Sequence, residues 1–359
     1  MDTSDDKYHL RCIELATKGM GNVAPNPLVG AVIVHDNTII GEGYHNYFGG
    51  PHAEVNAINS VKNKDALKKS KLIVNLEPCS HYGKTPPCVD LIIENGIPEV
   101  IIGCVDPNPV VSGKGIDKLK KAGIKVSLTN DSSMIFLNRR FFTFQEKHRP
   151  YIILKWAETS DGFIDKIRDY NFELPEWLTD DYARLMVHKW RSEEQAILVG
   201  TNTVLYDNPH LTTRYFYGKN PIRMIIDRTL RLPSKLNVFD GSTPTVVFTE
   251  VKNVQNKNIK DLVYVNIDFE YLTYQIMEYC YNNNISSLII EGGTMLIESF
   301  IKTNMWDEAR IFTSDNLFGR GIVAPSISCQ YSKLQKLSNS VLRYYFNHEW
   351  HELIKKIRL

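Results

Sequence analysis

The feature that most constrains this chain is an alternation of short apolar β runs with helical segments that occurs twice, the two series parted by the charged stretch QEKHRP at 145–150. In the first series, KYHLRCIELATKG places Leu10, Ile13 and Ala16/Thr17 at helical spacing. PLVGAVIV and TIIGEGYH read as strands joined in a hairpin through HDN, AEVNAINSV is a helix, and KLIVNLEP is a strand. PPCVDLIIENG then reads as a helix with Thr85 as cap, prolines in its first turn and Gly96 at its end, before the strand PEVIIGCVD. The second series opens after Pro150 with YIILKWA. A helix over LTDDYARLMVHKWRSEE follows, with Thr179 as candidate cap, and then four β runs, QAILVG, PIRMIID, TPTVVFTE and DLVYVNI. YLTYQIMEYCYNN (helix), ISSLIIEGG (strand) and TMLIESFIKT (helix) close it. Strands and helices in alternation imply largely parallel sheets covered on both faces. At 359 residues the chain exceeds what one core usually serves, so two α/β domains are expected, 1–147 and 150–359.

Composition narrows the function. A net charge of +1 argues against a partner held by long-range attraction, such as nucleic acid, and VKNKDALKKSK reads as a solvated helix end. No apolar run approaches the roughly eighteen residues needed to span a bilayer, and the start MDTSDDKYHL carries no export signal, so a cytoplasmic location and small-molecule partners are expected. The six cysteines are irregularly placed and do not describe a disulfide framework. Cys12, Cys104 and Cys280 lie in apolar surroundings and read as inert buried thiols, whereas Cys79 and Cys88 each sit beside proline in a turn-rich stretch.

His52 and Glu54, either side of one alanine at the mouth of a helix, carry little meaning alone. EPCSHYGKTPPC adds Cys79 and Cys88, each near the start of a turn or helix, where thiolates are favoured. One imidazole and two thiolates make a three-ligand Zn²⁺ site with a position left for water, and Glu54 then serves as the proton carrier. His-x-Glu followed by Pro-Cys-x-x-Cys marks zinc nucleobase deaminases; here the second cysteine is farther away. Two alternatives stay open: a structural zinc closed by His81 in a nucleotide-binding protein, and a nucleic-acid-editing deaminase with a non-catalytic C-terminal module.

HAEVNAI with EPCSHYGKTPPC, NPLVGAVIV, GEGYH and GCVDPNPVVSGKGI resembles the deaminase domain of the bifunctional riboflavin-biosynthesis deaminase/reductases, over nearly all of residues 1–147. The resemblance implies a cytidine-deaminase-like α/β/α domain whose substrate is a phosphoribosylaminopyrimidine. His52, Cys79 and Cys88 would bind zinc, Glu54 would be catalytic, and Asn26, His45, His81, Lys84, Asp106 and Asn108 would hold the pyrimidine or its phosphate.

In the second half no G-x-G-x-x-G follows a predicted strand. Glu-Gly-Gly-Thr between the strand SSLII and the following helix presents backbone N–H groups at a helix start, a natural anion site. With LKWAETSDGFI, EWLTD, HKWRSEEQAILVGTNTVLYDNPHLTTR and PIRMIID, this segment resembles the reductase domain of the same bifunctional family over roughly 150–325. That resemblance implies a dihydrofolate-reductase-like α/β domain using NADPH to reduce a ribosyl group to ribityl, in a homo-oligomer, dimer or tetramer. Trp177, Thr203, Asp207 and the run Gly293, Thr294, Met295, Leu296, Ile297, Glu298, Ser299 would contact NADP, and Arg191, Leu211, Arg214 and Glu291 the substrate. Arginine suits a phosphorylated sugar because its planar fork grips phosphate bidentately. Lys155 and Asp161 are the nearest polar candidates for proton donor. The sequence departs from the family pattern at Glu158, Ser160 and Pro175 and in FTSDNLFGRGIVAPS.

Overall fold

A computed structural model describes residues 6–82, 86–168, 177–254 and 259–357. The chain divides into two compact units, 1–148 with 356–359 and 149–355.

The first unit runs α1 (Asp6–Thr17), β1 (Gly30–His35), β2 (Thr38–Tyr44), α2 (Ala53–Ser60), β3 (Lys71–Val74), α3 (Cys88–Glu94), β4 (Glu99–Ile102), α4 (Lys114–Lys121), β5 (Lys125–Leu128), α5 (Ser132–Leu137) and α6 (Arg139–Lys147). Its sheet has the order β2-β1-β3-β4-β5. β3, β4 and β5 are parallel, while β1 runs antiparallel to both β2 and β3. Asp36 and Asn37 turn the hairpin with φ of 47° and 59°, the left-handed pair that matches strand twist in a two-residue loop. Side chains alternate across the strands, so the two faces bury different partners. Val32, Val34, Ile73 and Ile101 pack with Tyr8, Cys12 and Leu15 of α1. Ala31, Ile33, Leu72, Val74, Val100 and Ile102 meet residues of α2, α3 and α4 on the other face. α2 lies so close to β2 that a Cβ on Gly43 would come 2.3 Å from the Ala57 nitrogen, which is why GEG occupies that strand.

The second unit contains β6 (Tyr151–Thr159), β7 (Phe163–Asp165), α7 (Asp181–Glu193), β8 (Ala196–Val199), α8 (Thr201–Asp207), β9 (Ile222–Ile226), β10 (Thr245–Thr249) and β11 (Leu262–Asn266). It continues through α9 (Leu272–Asn282), β12 (Ser287–Glu291), α10 (Thr294–Lys302), β13 (Glu308–Ser314), β14 (Ile322–Val323), β15 (Lys333–Lys336), β16 (Ser340–Phe346) and α11 (His348–Lys356). A nine-stranded sheet runs β11-β10-β9-β8-β12-β6-β13-β16-β15, parallel as far as β13 and antiparallel in the last two strands. β12 and β6 are central and apolar on both faces, with Leu288, Ile290, Ile152 and Leu154 in the main core.

Two local expectations are corrected. α7 is capped by Asp180, whose Oδ1 accepts the Ala183 N–H at 2.8 Å, not by Thr179. α3 begins at Cys88, so the prolines precede its first turn, and Thr85 lies outside the described residues.

Two candidate active sites

In the first unit, the loop after β2 delivers His52 to the cap position of α2, where its carbonyl accepts the Asn56 N–H at 3.1 Å. Glu54 follows in the first turn, only 3% exposed. Cys88 opens α3, and its backbone N–H donates to Cys79 Sγ at 3.3 Å while Cys79's carbonyl accepts from Val89 at 3.2 Å, so the two thiols are locked together by main chain. Cys79 Sγ and Cys88 Sγ lie 3.5 and 3.3 Å from His52 Nδ1. The three ligand atoms fall within 4.8 Å of one another, and among the described residues no fourth His, Cys, Asp or Glu joins them. His81 is exposed outside this group, which removes it as a closing ligand.

The electrostatics agree with a cation between these atoms. The Cys88 thiol and the His52 ring hold the Cys79 thiol well below its ordinary value against the opposing effect of burial, which favours a thiolate there. Cys79 in turn pushes His52 up to about 9. Burial, and then the charge of Cys79, pushes the Glu54 carboxyl up to about 7. One imidazole and two cysteine sulfurs at sulfur–nitrogen separations this short fit Zn²⁺.

His45 is 3% exposed and stands edge-on to His52, ring centroids 5.5 Å apart. Its Nδ1 lies 3.0 Å from the Pro51 carbonyl, which can only accept, so Nδ1 carries the proton and Nε2 accepts from Asn26 Nδ2 at 3.1 Å. Burial holds its pKa down, keeping the ring neutral. Asp106 Oδ1 accepts the Asn108 N–H at 2.8 Å in a tight turn, and burial pushes this carboxyl up to about 6. Lys84 lies outside the described residues. The sequence reading missed Glu77, 4% exposed and surrounded by backbone donors. An acid at the end of an apolar β run, as in KLIVNLE, is the signal that could have found it.

In the second unit, Glu291 at the end of β12 takes Arg191 of α7 bidentately, Nε to Oε1 at 3.0 Å and an Nη to Oε2 at 2.7 Å. Lys155, its register partner on β6, stands 3.7 Å from Oε2. Burial pushes the Glu291 carboxyl up, but Arg191 and Lys155 outweigh it and hold the group at about 2. Arg191 also donates to the Thr212 carbonyl at 3.3 Å and Arg214 to the Thr212 hydroxyl at 3.4 Å. Leu211 is buried between them in sequence with φ of 55°. Arg191, Arg214, Glu291 and Lys155 thus converge. His188, one turn before Arg191, is a further residue the sequence reading missed. It is 3% exposed, its ring meets Tyr215 edge-on at 4.8 Å, and its Nδ1 has no hydrogen-bond partner. Burial and the nearby Arg191 and Arg214 hold it down at about 4, hence neutral.

After Glu291 the chain passes through Gly292 and Gly293 with φ of 104° and 74° and enters α10 at Thr294. A Cβ on Gly292 would sit 3.2 Å from Thr203 Oγ1, so Thr203 and the paired glycines form one close-packed cradle. Gly293 supplies no side-chain cap, which leaves the first N–H groups of α10 open to a phosphate and fits the pyrophosphate of a dinucleotide. Met295 is 84% exposed, whereas Leu296 and Ile297 are core side chains that offer a ligand only their main chain. Glu298 pairs with Lys302 at 3.3 Å, and the Ser299 hydroxyl donates to the Leu296 carbonyl. Trp177 is exposed, with the Arg184 guanidinium 4.2 Å above its ring. Asp207 is 3.0 Å from Arg168 and so is engaged within the protein. The Asp161 carboxylate accepts from the Thr159 hydroxyl and the N–H groups of Phe318 and Gly319, which hold its pKa low; it pins a loop and is a poor proton donor. Glu158 and Ser160 find partners in Trp156, Thr313 and Asn316, and Pro175 lies outside the described residues.

Residues 150–342 match the RibD C-terminal domain, and residues 2–104 the cytidine and deoxycytidylate deaminase zinc-binding region. The riboflavin biosynthesis protein RibD of Aquifex aeolicus is 36% identical over 354 residues, covering 95% of this chain and 98% of that protein. The chain belongs to the RibD family. The RibD of Bacillus amyloliquefaciens is 39% identical over 333 residues, 90% of this chain and 87% of its own. The crystal structure of a diaminohydroxyphosphoribosylaminopyrimidine deaminase/5-amino-6-(5-phosphoribosylamino)uracil reductase from Thermotoga maritima is similar with a TM-score of 0.86 at 39% identity, over 95% of this chain and 98% of that one. As a RibD-family protein, the chain is a bifunctional deaminase and reductase of riboflavin biosynthesis that uses Zn²⁺ and NADPH. Its folds are the cytidine-deaminase-like and dihydrofolate-reductase-like types of that family. No helix among the described residues is long and apolar enough to cross a membrane.

Proposed function

We propose that residues 1–147 remove the exocyclic amine of a diaminohydroxyphosphoribosylaminopyrimidine. Residues 150–359 then reduce the ribosyl group of the resulting 5-amino-6-(5-phosphoribosylamino)uracil to a ribityl chain. The observation that carries the first step is the His52, Cys79 and Cys88 cluster with the buried Glu54 beside it. Zinc held by those three residues supplies an acidified water. Glu54 would take one proton from that water for the ring nitrogen as the remaining hydroxyl bonds the ring carbon, and then carry that hydroxyl's proton to the amine, so that the C–N bond breaks, ammonia leaves and the carbonyl forms. Its place in a dry helix mouth, with a pKa pushed toward neutrality, suits both halves of that transfer. Asn26, already oriented by His45, keeps its amide oxygen for the pyrimidine edge, and Asp106, Asn108, His81 and Lys84 complete the substrate contacts.

NADPH bound along Gly293–Ser299, Thr203, Asp207 and Trp177 supplies hydride to the sugar. Arg191 and Arg214 grip the phosphorylated sugar, Leu211 packs beside it, and Glu291 fixes Arg191 and Lys155. Burial depresses the Lys155 pKa, which makes its ammonium the readiest proton source for the oxygen or nitrogen that receives charge. Asp207 reaches a cofactor only through or alongside its ion pair with Arg168. The same reading carries a homo-oligomer, dimer or tetramer, in the cytoplasm and no nucleic-acid partner.

Purified protein given the diaminopyrimidine phosphate, with and without NADPH, tests the order of the steps. Ammonia release without NADPH, followed by cofactor oxidation only after deamination, is expected. NADPH oxidation that precedes or proceeds without ammonia release would overturn this reading.

A further inference from the structure

Glu77 lies in the segment between β3 and Cys79 and has no part in the chemistry assigned above. Its carboxylate is buried, yet no cation pairs with it among the described residues. Instead it gathers backbone donors from two separate stretches. Oε2 accepts the N–H groups of Gly113 at 2.9 Å and Asp106 at 3.3 Å, and Oε1 those of Gly115 at 2.9 Å and Ile116 at 3.2 Å. Three of these donors sit at the start of α4, where the unpaired N–H groups of a helix favour negative charge. Glu77's own N–H donates to the Cys104 carbonyl at 3.0 Å, which ties it to the end of β4. The helix is brought very near: a Cβ on Gly115 would fall 2.2 Å from the Pro78 carbonyl. One carboxylate therefore fixes three things together, namely the Glu77–Pro78–Cys79 segment, the turn carrying Asp106 and Asn108, and the first turn of α4.

We propose that Glu77 is a positioning residue of the deaminase centre, its buried carboxylate setting Cys79 in register with the Asp106–Asn108 turn through those four backbone N–H groups. The inference rests on the deaminase reading given above. It needs an acid at 77: glutamine has a single acceptor oxygen, so its amide group would face two backbone N–H donors that carboxylate oxygens now satisfy. Displacing Cys79 loosens a metal ligand, and displacing Asp106 loosens a substrate contact.

The test uses the full-length zinc-loaded chain and the variants Glu77→Gln, Glu77→Asp and Gly115→Ala. The last keeps the charge but pushes on Pro78. Zinc retention is followed by metal release to a chromogenic chelator, deamination by ammonia release, and folding by near-UV circular dichroism together with NADPH oxidation on the pre-deaminated substrate. Glu77→Gln and Gly115→Ala are expected to lose zinc about tenfold faster and to lose about 10- to 100-fold in deaminase kcat/KM, the range for residues supporting metal ligands. Raised KM is to accompany lowered kcat, and Glu77→Asp, with charge but short reach, is to fall between them and the unaltered chain. NADPH oxidation is to stay unchanged. Glu77→Gln with zinc release and deaminase kinetics within twofold of the unaltered chain would overturn the proposal. So would loss of folded protein in both Glu77→Gln and Gly115→Ala, which would assign Glu77 to the fold alone. Absence of ammonia release from the unaltered chain would instead refute the deaminase reading.

Discussion

Glu291→Gln is the sharpest perturbation available in the second unit, because one near-isosteric change strands two buried cations. Arg191 and Lys155 are 13% and 16% exposed at their side chains, and Glu291 is their shared counter-charge at 2.7 and 3.7 Å. Removing one partner of a buried pair costs ~3–5 kcal/mol, since the other charge stays desolvated. A second route gives a similar figure. A carboxyl held at about 2 instead of its ordinary 4.5 contributes ~3 kcal/mol at neutral pH, at ~1.4 kcal/mol for each tenfold in protonation. For a unit of about 200 residues, ~3 kcal/mol corresponds to roughly 6–12 °C in the unfolding midpoint.

The pH dependence follows from the sign of the shift. The folded pKa is depressed, so the carboxylate's contribution is complete above the unfolded value near 4.5 and disappears as pH falls through about 2. Calorimetry of the unaltered chain and Glu291→Gln should therefore give a constant gap from neutrality down to about pH 5, closing between that point and pH 2. Inorganic phosphate should recover more of the midpoint in the variant, where it meets Arg191, Lys155 and Arg214 without a competing anion. A gap under about 2 °C at pH 7 would refute the claim that this carboxylate holds the cations in place.

Glu54→Gln should keep its zinc content and lose ammonia release by about 10²- to 10⁴-fold, the range for removing a general acid–base group, as read by metal analysis and an ammonia assay. Chelation of the protein should abolish ammonia release yet leave NADPH oxidation on pre-deaminated substrate intact, because His52, Cys79 and Cys88 all belong to the first unit. Lys155→Met should lower NADPH oxidation by about 10² or more and leave ammonia release unchanged; unaltered reductase turnover would remove Lys155 from the chemistry.

Much of the fold was legible because its signals are local. Period-two alternation in GAVIVH assigns Val32 and Val34 to one face and Ala31 and Ile33 to the other, which is how α1 and α2 divide them. The continuous apolar runs AILV and SLIIE are the fully buried central strands β8 and β12. Less could be read where the deciding partner is distant in sequence. Asp180 and Thr179 are both acceptable caps by type, and only the backbone path selects Asp180. Likewise Leu296 and Ile297 belong to a segment matched to a cofactor, and only the core behind α10 shows that their side chains are unavailable. At the first site, His52, Cys79 and Cys88 were readable as a zinc set, with Glu54 as its proton carrier, because one imidazole and two thiols in turn-rich segments beside helix starts are the donors zinc takes. Glu77 was not, because its partners are backbone N–H groups that leave no trace in residue types.

The two sites solve opposite electrostatic problems with the same architectural means. The first gathers Cys79, Cys88 and Glu54 at one buried helix mouth, where Cys79 and burial push the Cys88 thiol up and burial, then Cys79, pushes the Glu54 carboxyl up, so the arrangement gains when a cation enters. The second gathers Arg191 and Lys155 on one carboxylate with Arg214 held near Arg191 by Thr212, and the cationic excess favours an anion such as a phosphorylated sugar. In each, main-chain geometry does what a side chain could not: the Cys88 N–H holds Cys79, and the glycine pair after Glu291 opens the first turn of α10. Because the first arrangement brings metal-ligand atoms together and the second carries a cationic excess, both should stiffen on loading. Zinc should raise the unfolding midpoint of the first unit and phosphate that of the second, each by mass action.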